Sequence, residues 1–290
     1  MNLKKLIKDK FLPISANRYS KEIHLNVLLN NAIARGSLSS LSRNPDPADP
    51  ASWEFSGFSQ NGEDGIIEYL LSGVKESNKY FIEIGTGNGL ENNTGFLAHI
   101  KKYAGLQIEG NTAFYLDALV TKPWLVECLN CFVNEETVDK ILSQADHKNP
   151  DFFSVDIDSI DYYIVKLLLE KGLRPKVIVV EYNSAFGPDR SLTIPYKPDF
   201  NMFLTDFPYL YYGVSVTGWK SFFGEHDYEF VTVESNGVNA FFIDRKQFRG
   251  GFLDNVNKVH FRENVHQLRL FKGGHEHQFK MMEHLPLVQI

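Results

Sequence analysis

The sequence predicts an α/β protein built on a Rossmann-like, seven-stranded, mainly parallel sheet, with helices on both faces and a terminal antiparallel hairpin. Three observations lead to this prediction. From residue 59 onward, short apolar runs alternate with helical patterns, as in parallel strands joined by crossover helices. Three alternating glycines, Gly85, Gly87 and Gly89, follow the first apolar run. Near residue 236, two further apolar runs are separated by Asn-Gly, which is typical of a hairpin turn.

Five strand candidates precede the hairpin and follow one another in a regular order. They are Tyr80 to Ile84, Leu106 to Glu109, Leu125 to Val133, Phe152 to Asp156, and Val177 to Tyr182. Helical patterns separate them, and the pattern at 159–171 is followed by Gly172, a residue suited to the end of a helix. Residues 228–235 and 238–245 then supply the two strands of the hairpin. Together these segments make up the predicted seven strands.

The chain divides into three predicted parts. Residues 1–54 form a helical extension and a linker rich in proline and serine, residues 55–245 carry the motifs, and residues 246–290 form a C-terminal extension. The linker, residues 36–53, holds three prolines among serines and aspartates, a composition that does not sustain a helix or a central strand. We therefore expect a linker or a loop draped over the domain.

Composition and charge narrow the classes of partner. The formal net charge of −6 argues against a nucleic-acid-binding protein, because such surfaces usually carry a basic excess. A small-molecule or glycan partner fits better. No apolar run approaches the roughly 18 residues that a membrane span needs. The first residues lack the apolar stretch of a secretory signal, so we expect a cytoplasmic protein.

The first residues also show a pattern found in helices that lie on a membrane surface. Leu3, Leu6 and Ile7 share a helical face, and four lysines lie away from it. Such a pattern suits peripheral membrane contact. It suits equally a helix that docks on its own domain, and we favour this second interpretation.

The only two cysteines, Cys128 and Cys131, form a CxxC pattern. Without a second pair this is a weak zinc signal. A spacing of three in a strand places the two side chains on opposite faces. We therefore expect two reduced cysteines that pack in the interior.

The glycine-rich turn predicts a nucleoside ligand, because glycine accepts positive φ and lets the backbone approach a ligand closely. Its spacing is G-x-G-x-G, whereas the dinucleotide fingerprint is G-x-G-x-x-G. Glu83 precedes Gly85 and would repel a diphosphate but attract a cationic amino group. S-adenosylmethionine carries such a group and has no phosphate, so it is the cofactor that we expect.

Glu109 ends the second predicted strand, at the edge where open α/β sheets bind ligands. A carboxylate in this position can accept hydrogen bonds from both hydroxyls of a ribose. The same residue would serve NAD equally well. Glu109 therefore predicts an adenosine nucleoside, and the glycine spacing favours S-adenosylmethionine over NAD.

Six motifs in this order resemble the class I methyltransferases, and specifically the FkbM-like group. They are "FSQNGEDGIIEYLL", "FIEIGTGNGLENNT", "GLQIEG", "FFSVDIDSIDYYIVKLL", "VIVVEYNSAFGP" and "NGVNAFFI". The resemblance covers about residues 55–245. It implies a methyltransferase-like domain there, a site for S-adenosylmethionine, and O-methylation of sugars or secondary metabolites, often in polysaccharide or natural-product pathways.

Residues on both sides of the glycine turn are further candidates for the cofactor site. Because the resemblance includes "SQNGEDG", we place Gln60 and Glu63 near the amino acid end of the cofactor. Asn92, Asn93 and Thr94 suit the start of the next helix as capping residues. Asn93 and Thr94 are also candidate ligand contacts.

Four oxygen-bearing side chains end the fourth and fifth predicted strands. Asp156 and Asp158 share one face of the fourth strand, and Glu181 and Asn183 share one face of the fifth. If these strands are neighbours, the four side chains converge beside the cofactor. Asp158 also suits the N-cap of the following helix, whereas a carboxylate at Asp156 is costly unless it is paired or faces a site.

Two roles are open for this group. A carboxylate, Asp156 first and then Asp158 or Glu181, would take the proton of a substrate hydroxyl as a general base. Alternatively, Asp156, Glu181 and Asn183 would hold Mg²⁺ through hard oxygen ligands, an arrangement that resembles the catechol-type O-methyltransferases. His226, just before the hairpin, is a further candidate base.

The function expected from the sequence is O-methyl transfer from S-adenosylmethionine to a hydroxyl of a sugar, a polysaccharide precursor or a secondary metabolite. Two alternatives remain. A Rossmann-like protein without catalytic activity would serve as a scaffold or a binding module, because fold alone does not establish function. An NAD-linked oxidoreductase is disfavoured by the glycine spacing.

Overall fold

The structure is a computed structural model that describes the backbone of residues 12–290 and the side chains from residue 20 onward. The predicted apolar face of Leu3, Leu6 and Ile7 lies outside the described residues. Among residues 12–290, no helix is both long enough and apolar enough to span a membrane.

The elements are α1 (Leu12–Ser42), α2 (Glu63–Ser72), β1 (Tyr80–Ile84), α3 (Gly95–His99), β2 (Ala104–Glu109), α4 (Thr112–Thr121), β3 (Val126–Asn130), α5 (Val138–Gln144), β4 (Phe152–Val155), α6 (Asp161–Glu170), β5 (Val177–Glu181), β6 (Leu192–Thr193), α7 (Val216–Glu225), β7 (Glu229–Val233), β8 (Asn239–Ile243), α8 (Val265–Leu270), α9 (Gly274–Met282) and β9 (Val288–Gln289).

Seven strands form one sheet in the order β3-β2-β1-β4-β5-β8-β7. Strands β1 to β5 are parallel, and β8 pairs antiparallel with both β5 and β7. The predicted seven-stranded, mainly parallel sheet with a terminal antiparallel hairpin is confirmed. A second sheet pairs β6 with β9. This sheet is not predictable from the sequence, because strands of two residues are too short to show a pattern.

Strand β3 ends at Asn130, three residues before the predicted end at Val133. The Cys131 amide still donates to the Glu109 carbonyl of β2 at 3.0 Å, and both Cys131 and Val133 are buried. Their apolar character therefore reflects burial and not strand structure.

Apolar residues cover both faces of the sheet and form two cores. Strands β1, β4, β5 and β8 are buried along their whole length, which explains their continuous apolar runs. Cys128 packs against one core and Cys131 belongs to the other, so their placement on opposite faces is confirmed. Both are free thiols, and burial raises the pKa of Cys128 to about 11.

Residues 36–42 are helical, so their assignment to the linker was wrong. The three prolines lie later, at positions 45, 47 and 50, and α1 therefore continues until Ser42. The chain that follows is tied to the main domain. Trp53 is fully buried, and its ring stacks on Tyr69 with the centroids 4.0 Å apart. The limits of the three parts, at residues 54 and 245, stay a prediction.

Helix α1 crosses the main domain where two glycines meet. A Cβ atom on Gly57 would lie 2.5 Å from the Cα atom of Gly36, well inside contact distance. The Gly57 amide donates to Asp64 Oδ2 at 2.7 Å, and its carbonyl accepts from the Arg35 guanidinium at 3.1 Å. The two backbones can approach this closely because neither residue has a side chain.

We expect Gly57→Ala to destabilise the protein by about 1 to 3 kcal/mol, the usual cost of forcing extra atoms into a packed site. Gly224→Ala is the matched control, because a Cβ atom there would have nothing within 4 Å and alanine favours a helix more than glycine does. Chemical denaturation of both variants measures the difference. Equal free energies of unfolding would contradict the close crossing of α1 and residue 57.

Candidate functional site

The carboxyl ends of β1, β2, β4 and β5 meet along one edge of the sheet, where open α/β sheets bind their ligands. Strand β1 leads into the glycine turn, β2 ends at Glu109, β4 leads to Asp156, and β5 ends at Glu181. Because β1 lies between β2 and β4, the turn has Glu109 on one side and Asp156 on the other. Sheet topology thus brings together residues that are far apart in the sequence.

The three glycines of the turn all have positive φ, but they have different surroundings. A Cβ atom on Gly85 would lie 1.7 Å from the carbonyl oxygen of Asp156, so Gly85 allows the turn to pass the end of β4. A Cβ atom on Gly89 would contact side chains of α4, which makes Gly89 a packing residue and not a ligand contact. At Gly87 a Cβ atom would have nothing within 4 Å, so this position faces open space.

That open space is a cavity of about 750 Å³, which we call the turn cavity. Gly87 and Glu109 lie on one side of it, and Phe114 and Phe132 line another. Glu109 holds the turn in place, since its Oε2 accepts from the Gly87 amide at 2.7 Å and its Oε1 from the Asn111 amide at 2.6 Å. The volume and the mixed apolar and polar lining suit a nucleoside-sized ligand.

Glu83 is buried beneath the turn, and both of its oxygens are already hydrogen-bonded. Oε1 accepts from the Asn93 amide at 2.8 Å, and Oε2 accepts from the Thr94 hydroxyl. Burial raises the pKa of Glu83 to about 7. Thr94, which also accepts from Gln107 Nε2 at 3.0 Å, is fully buried and lines none of the described cavities. Its prediction as a ligand contact was therefore wrong.

Predicted cofactor residues also come together around a second, smaller space of about 100 Å³. Gln60, Glu63, Glu83, Gly85 and Asn93 line it, together with Asp156. We call it the small cavity. It adjoins the turn cavity, because Gly85 and Gln60 line both.

Two buried polar atoms of residues that line the small cavity have no hydrogen-bond partner within the described part of the chain: Nδ2 of Asn92 and Oδ1 of Asn239. Such atoms are rare in folded proteins and call for an explanation. Together they offer one donor and one acceptor, which suits a ligand that carries both a carboxylate and an ammonium group. Sequence reasoning treated Asn92 only as a helix cap and missed Asn239, because only the sheet order places β8 next to β5.

Asp156, Asp158 and Glu181 form a cluster in which one ligand oxygen of each lies within 4.8 Å of the others. Burial, followed by the charges of Asp158 and Asp161, raises the pKa of Asp156 well above its usual value. Burial likewise raises the pKa of Asp158 to about 6. Within the described part of the chain, no lysine or arginine forms an ion pair with the cluster. Three carboxylates without a cation are a donor set that fits Mg²⁺.

Asp158 is not a helix cap, although its position before α6 suggested that role. The residue preceding α6 is Ile160, and Asp161 closes the loop by accepting from the Ile157 and Ser159 amides, both at 3.0 Å. Asp158 itself has φ of +52°, a conformation that non-glycine residues seldom adopt. Strained residues of this kind are enriched at functional sites.

Asn183 does not join the carboxylate cluster. Its Nδ2 donates to the carbonyls of Leu210 and Tyr212 at 2.6 and 2.9 Å, and its Oδ1 accepts from Ala185 and Gln267, both at 3.0 Å. The side chain is fully buried, and these bonds satisfy its polar atoms. Its prediction as a metal ligand was wrong, because the residue that lies in the cluster with Asp156 and Glu181 is Asp158.

His226 lies at the opposite edge of the sheet from the cluster. It follows α7 and lies shortly before β7, whose first residue, Glu229, pairs with Ile243. Ile243 in turn pairs with Val177 at the start of β5. His226 Nδ1 contacts the Phe222 carbonyl at 2.8 Å. Its prediction as a catalytic base was therefore wrong, because the start of β5 is the edge far from Asp156.

A third cavity of about 620 Å³ lies on the other side of the carboxylate cluster. Asp156, Asp158 and Glu181 line it together with residues of α8 and the aromatic side chains of Phe203, Tyr209 and Tyr212. The Tyr212 hydroxyl donates to Glu181 Oε1 at 2.9 Å, a contact that sequence reasoning missed. Since residues of α8 form one wall, we call it the α8 cavity. It adjoins the turn cavity, because Asp156 and Asp158 line both.

Comparisons with known proteins give limited guidance. No protein-family model matches the chain, and no curated protein matches its sequence. Similar solved structures include the O-methyltransferase TomG from Streptomyces achromogenes in complex with SAM, with 18% identity over 72% of this chain and 93% of that chain and a TM-score of 0.41. A second is a putative O-methyltransferase from Klebsiella pneumoniae, with 14% identity over 74% of this chain and 87% of that chain and a TM-score of 0.41. A third is an O-methyltransferase from Bacillus cereus in complex with SAH, with 14% identity over 75% of this chain and 89% of that chain and a TM-score of 0.38. Similarity at this level carries no argument about function.

We expect Glu83→Gln to change the pH dependence of stability. The folded protein holds the Glu83 proton up to about pH 7, whereas the unfolded chain releases it near pH 4.5. This contribution to stability is therefore complete below pH 4.5 and is lost as the pH rises through 7. One pKa unit corresponds to about 1.4 kcal/mol, so the free energy of unfolding of the variant, relative to wild type, should rise by about 3 kcal/mol from about pH 4.5 to about pH 8.

Urea denaturation at the two pH values measures this change. Glu127→Gln is the control, since it removes an exposed carboxylate from the edge strand β3. A stability difference between Glu83→Gln and wild type that is the same at both pH values would show that Glu83 is not held as a buried acid.

Proposed function

We propose that the protein is an S-adenosylmethionine-dependent O-methyltransferase. One observation carries this proposal: two large cavities, at the carboxyl edge of a Rossmann-like sheet, share a wall that contains Asp156. Methyl transfer needs a donor and an acceptor that meet at one point, with a group there to receive a proton. The turn cavity would hold the cofactor, and the α8 cavity would hold the acceptor.

The cofactor side of the proposal rests on the chemistry of the two adjoining spaces. Beside Gly87, the turn cavity is wide enough for a nucleoside, and the Glu109 carboxylate is placed to accept from ribose hydroxyls. In the small cavity, Nδ2 of Asn92 and Oδ1 of Asn239 lack partners. The first would donate to the carboxylate and the second would accept from the ammonium group of the cofactor's amino acid end. Glu83 supports this end indirectly, by holding the Asn93 amide.

In the reaction, a lone pair of the acceptor hydroxyl forms the new bond to the methyl carbon. The bond between carbon and sulfur breaks, its electron pair stays on the sulfur, and the hydroxyl proton passes to a base. We assign that base to Asp156, since a raised pKa brings a carboxyl group closer to the range in which it exchanges protons near neutral pH. Positioning of the two ligands by the shared wall supplies the rest of the effect.

A divalent cation is compatible with the same residues. Asp156, Asp158 and Glu181 would hold Mg²⁺, with the Tyr212 hydroxyl orienting Glu181. When bound, the ion would lower the pKa of the acceptor hydroxyl and favour its ionised form. Asp158 replaces Asn183 in the ligand set that the sequence suggested.

The finer assignments come from the sequence. We propose membership of the FkbM-like group, a methyltransferase-like domain over residues 55–245, and a hydroxyl acceptor that is a sugar, a polysaccharide precursor or a secondary metabolite. The location that we propose is the cytoplasm.

We expect Gly87→Val to abolish cofactor binding while the fold is kept. The new side chain would project into the turn cavity, because a Cβ atom at this position has nothing within 4 Å. Gly172→Val is the matched control: it also has positive φ and nothing within 4 Å of a Cβ atom, but it follows α6 away from the cavities. Calorimetry with S-adenosylhomocysteine measures the affinity. Unchanged affinity of Gly87→Val would remove the cofactor assignment.

We expect Asp156→Asn to reduce turnover by about 10² to 10⁴-fold, the usual contribution of general acid and base catalysis. Affinity for S-adenosylhomocysteine should change little, because Asp156 acts on the acceptor. Single-turnover rates with an acceptor that the wild type methylates provide the measurement, and wild-type rates in the variant would reject this role.

Treatment of the wild type with EDTA distinguishes the two mechanisms. A loss of activity that Mg²⁺ restores favours the metal, and unchanged activity favours Asp156 alone as base.

A further inference from the structure

The α8 cavity carries charges of opposite sign. Asp156, Asp158 and Glu181 supply negative charge, and Arg269 of α8 is the one lysine or arginine among the described residues that line the cavity. His266, one helical turn before Arg269, lines it as well. A ligand that fills this space meets an acidic group at the cofactor side and a basic group on α8.

Side-chain hydrogen bonds hold helix α8 in place, although the helix has only six residues. Gln267 is buried, and its Nε2 donates to Asn183 Oδ1 at 3.0 Å and to the Tyr209 carbonyl at 2.8 Å. Its Oε1 accepts from the Ser184 hydroxyl at 2.7 Å. Asn264 caps the helix by accepting from the amides of the first turn. These hydrogen bonds therefore hold α8 in place, and the exposed side chains of His266 and Arg269 extend from it.

The Arg269 guanidinium takes part in no ion pair or hydrogen bond within residues 20–290. Carboxylates line the same cavity, but Arg269 pairs with none of them. The basic and acidic groups thus stand apart, and both are available to a ligand between them. The His266 ring packs edge-on against Tyr209, with the centroids 5.5 Å apart.

We propose that the acceptor carries an anionic group, a carboxylate or a phosphate, apart from the hydroxyl that is methylated, and that Arg269 binds this group. This proposal rests on the proposed function, because it assigns the α8 cavity to the acceptor. Arginine suits the task, since its planar guanidinium binds both kinds of anion through paired hydrogen bonds. Phe203 and Tyr209 line the cavity as well, where their rings would contact the body of the acceptor.

Nuclear magnetic resonance of the arginine Nε signals tests the proposal directly. The Arg269 signal is assigned by its absence in Arg269→Gln, and sodium acetate and inorganic phosphate are titrated separately at constant ionic strength. Arg262 is the internal control, because it is exposed and does not line the cavity. We expect a saturable shift at Arg269, with a dissociation constant at least about fivefold lower than at Arg262, a ratio within reach of one ion pair. Tighter binding of acetate or of phosphate identifies the kind of anion.

Equal responses of Arg269 and Arg262 to both anions would overturn the proposal and leave Arg269 as a solvated surface cation. The binding of S-adenosylhomocysteine is measured on the same samples, and Arg269→Gln should bind it as the wild type does. If wild-type protein fails to bind S-adenosylhomocysteine, the proposed function fails, whereas the anion titration still reports on Arg269. The two failures are therefore distinguishable.

Discussion

The site depends on one contact between two backbones. Gly85 passes so close to the carbonyl oxygen of Asp156 that a Cβ atom would lie 1.7 Å from it. This approach joins the end of β1 to the end of β4 and places the glycine turn beside the first carboxylate of the cluster. A side chain at position 85 would clash with this carbonyl group, so the turn could not take its place beside the end of β4. The glycine at position 85 is thus a requirement of the site's geometry, and it also lines the turn cavity and the small cavity.

A second constraint is the accumulation of buried carboxyl groups at this edge of the sheet. Burial raises the pKa values of Asp64, Glu83 and Glu234 to about 7 in each case, and it raises those of Asp156 and Glu181 well above their usual range. Most of these groups hold loops through backbone amides: Asp64 binds residues 57–59, and Glu234 binds the hairpin turn. Carboxyl groups whose ionisation opposes folding therefore hold the loops around the cavities in place. This lowers the free energy of unfolding at the place where ligands would bind.

Most of the fold was predictable from the sequence because buried parallel strands produce continuous apolar runs. The glycine turn marks the end of β1, and Gly172 marks the end of α6. Residues at strand ends were predictable for the same reason, and Glu109, Asp156 and Glu181 lie where strand order places them. Errors arose where position depended on contacts distant in sequence. The local sequence around Asn183 does not reveal that its side chain is hydrogen-bonded to Gln267. The local sequence around His226 does not reveal that this residue lies at the opposite edge of the sheet. The local sequence also gives no sign that Asn239 belongs to the site, because only the pairing of β8 with β5 brings it there.

Met202 and Phe203 line both the turn cavity and the α8 cavity, as do Asp156 and Asp158. Two ligands bound there would touch the same side chains from opposite sides, so neither would bind independently of the other. Any adjustment of this wall that favours one ligand alters the affinity for the second. Linkage requires that the reverse effect be equal in size. Because this partition consists largely of side chains, we expect the occupancy of each cavity to change the affinity of the other for its ligand.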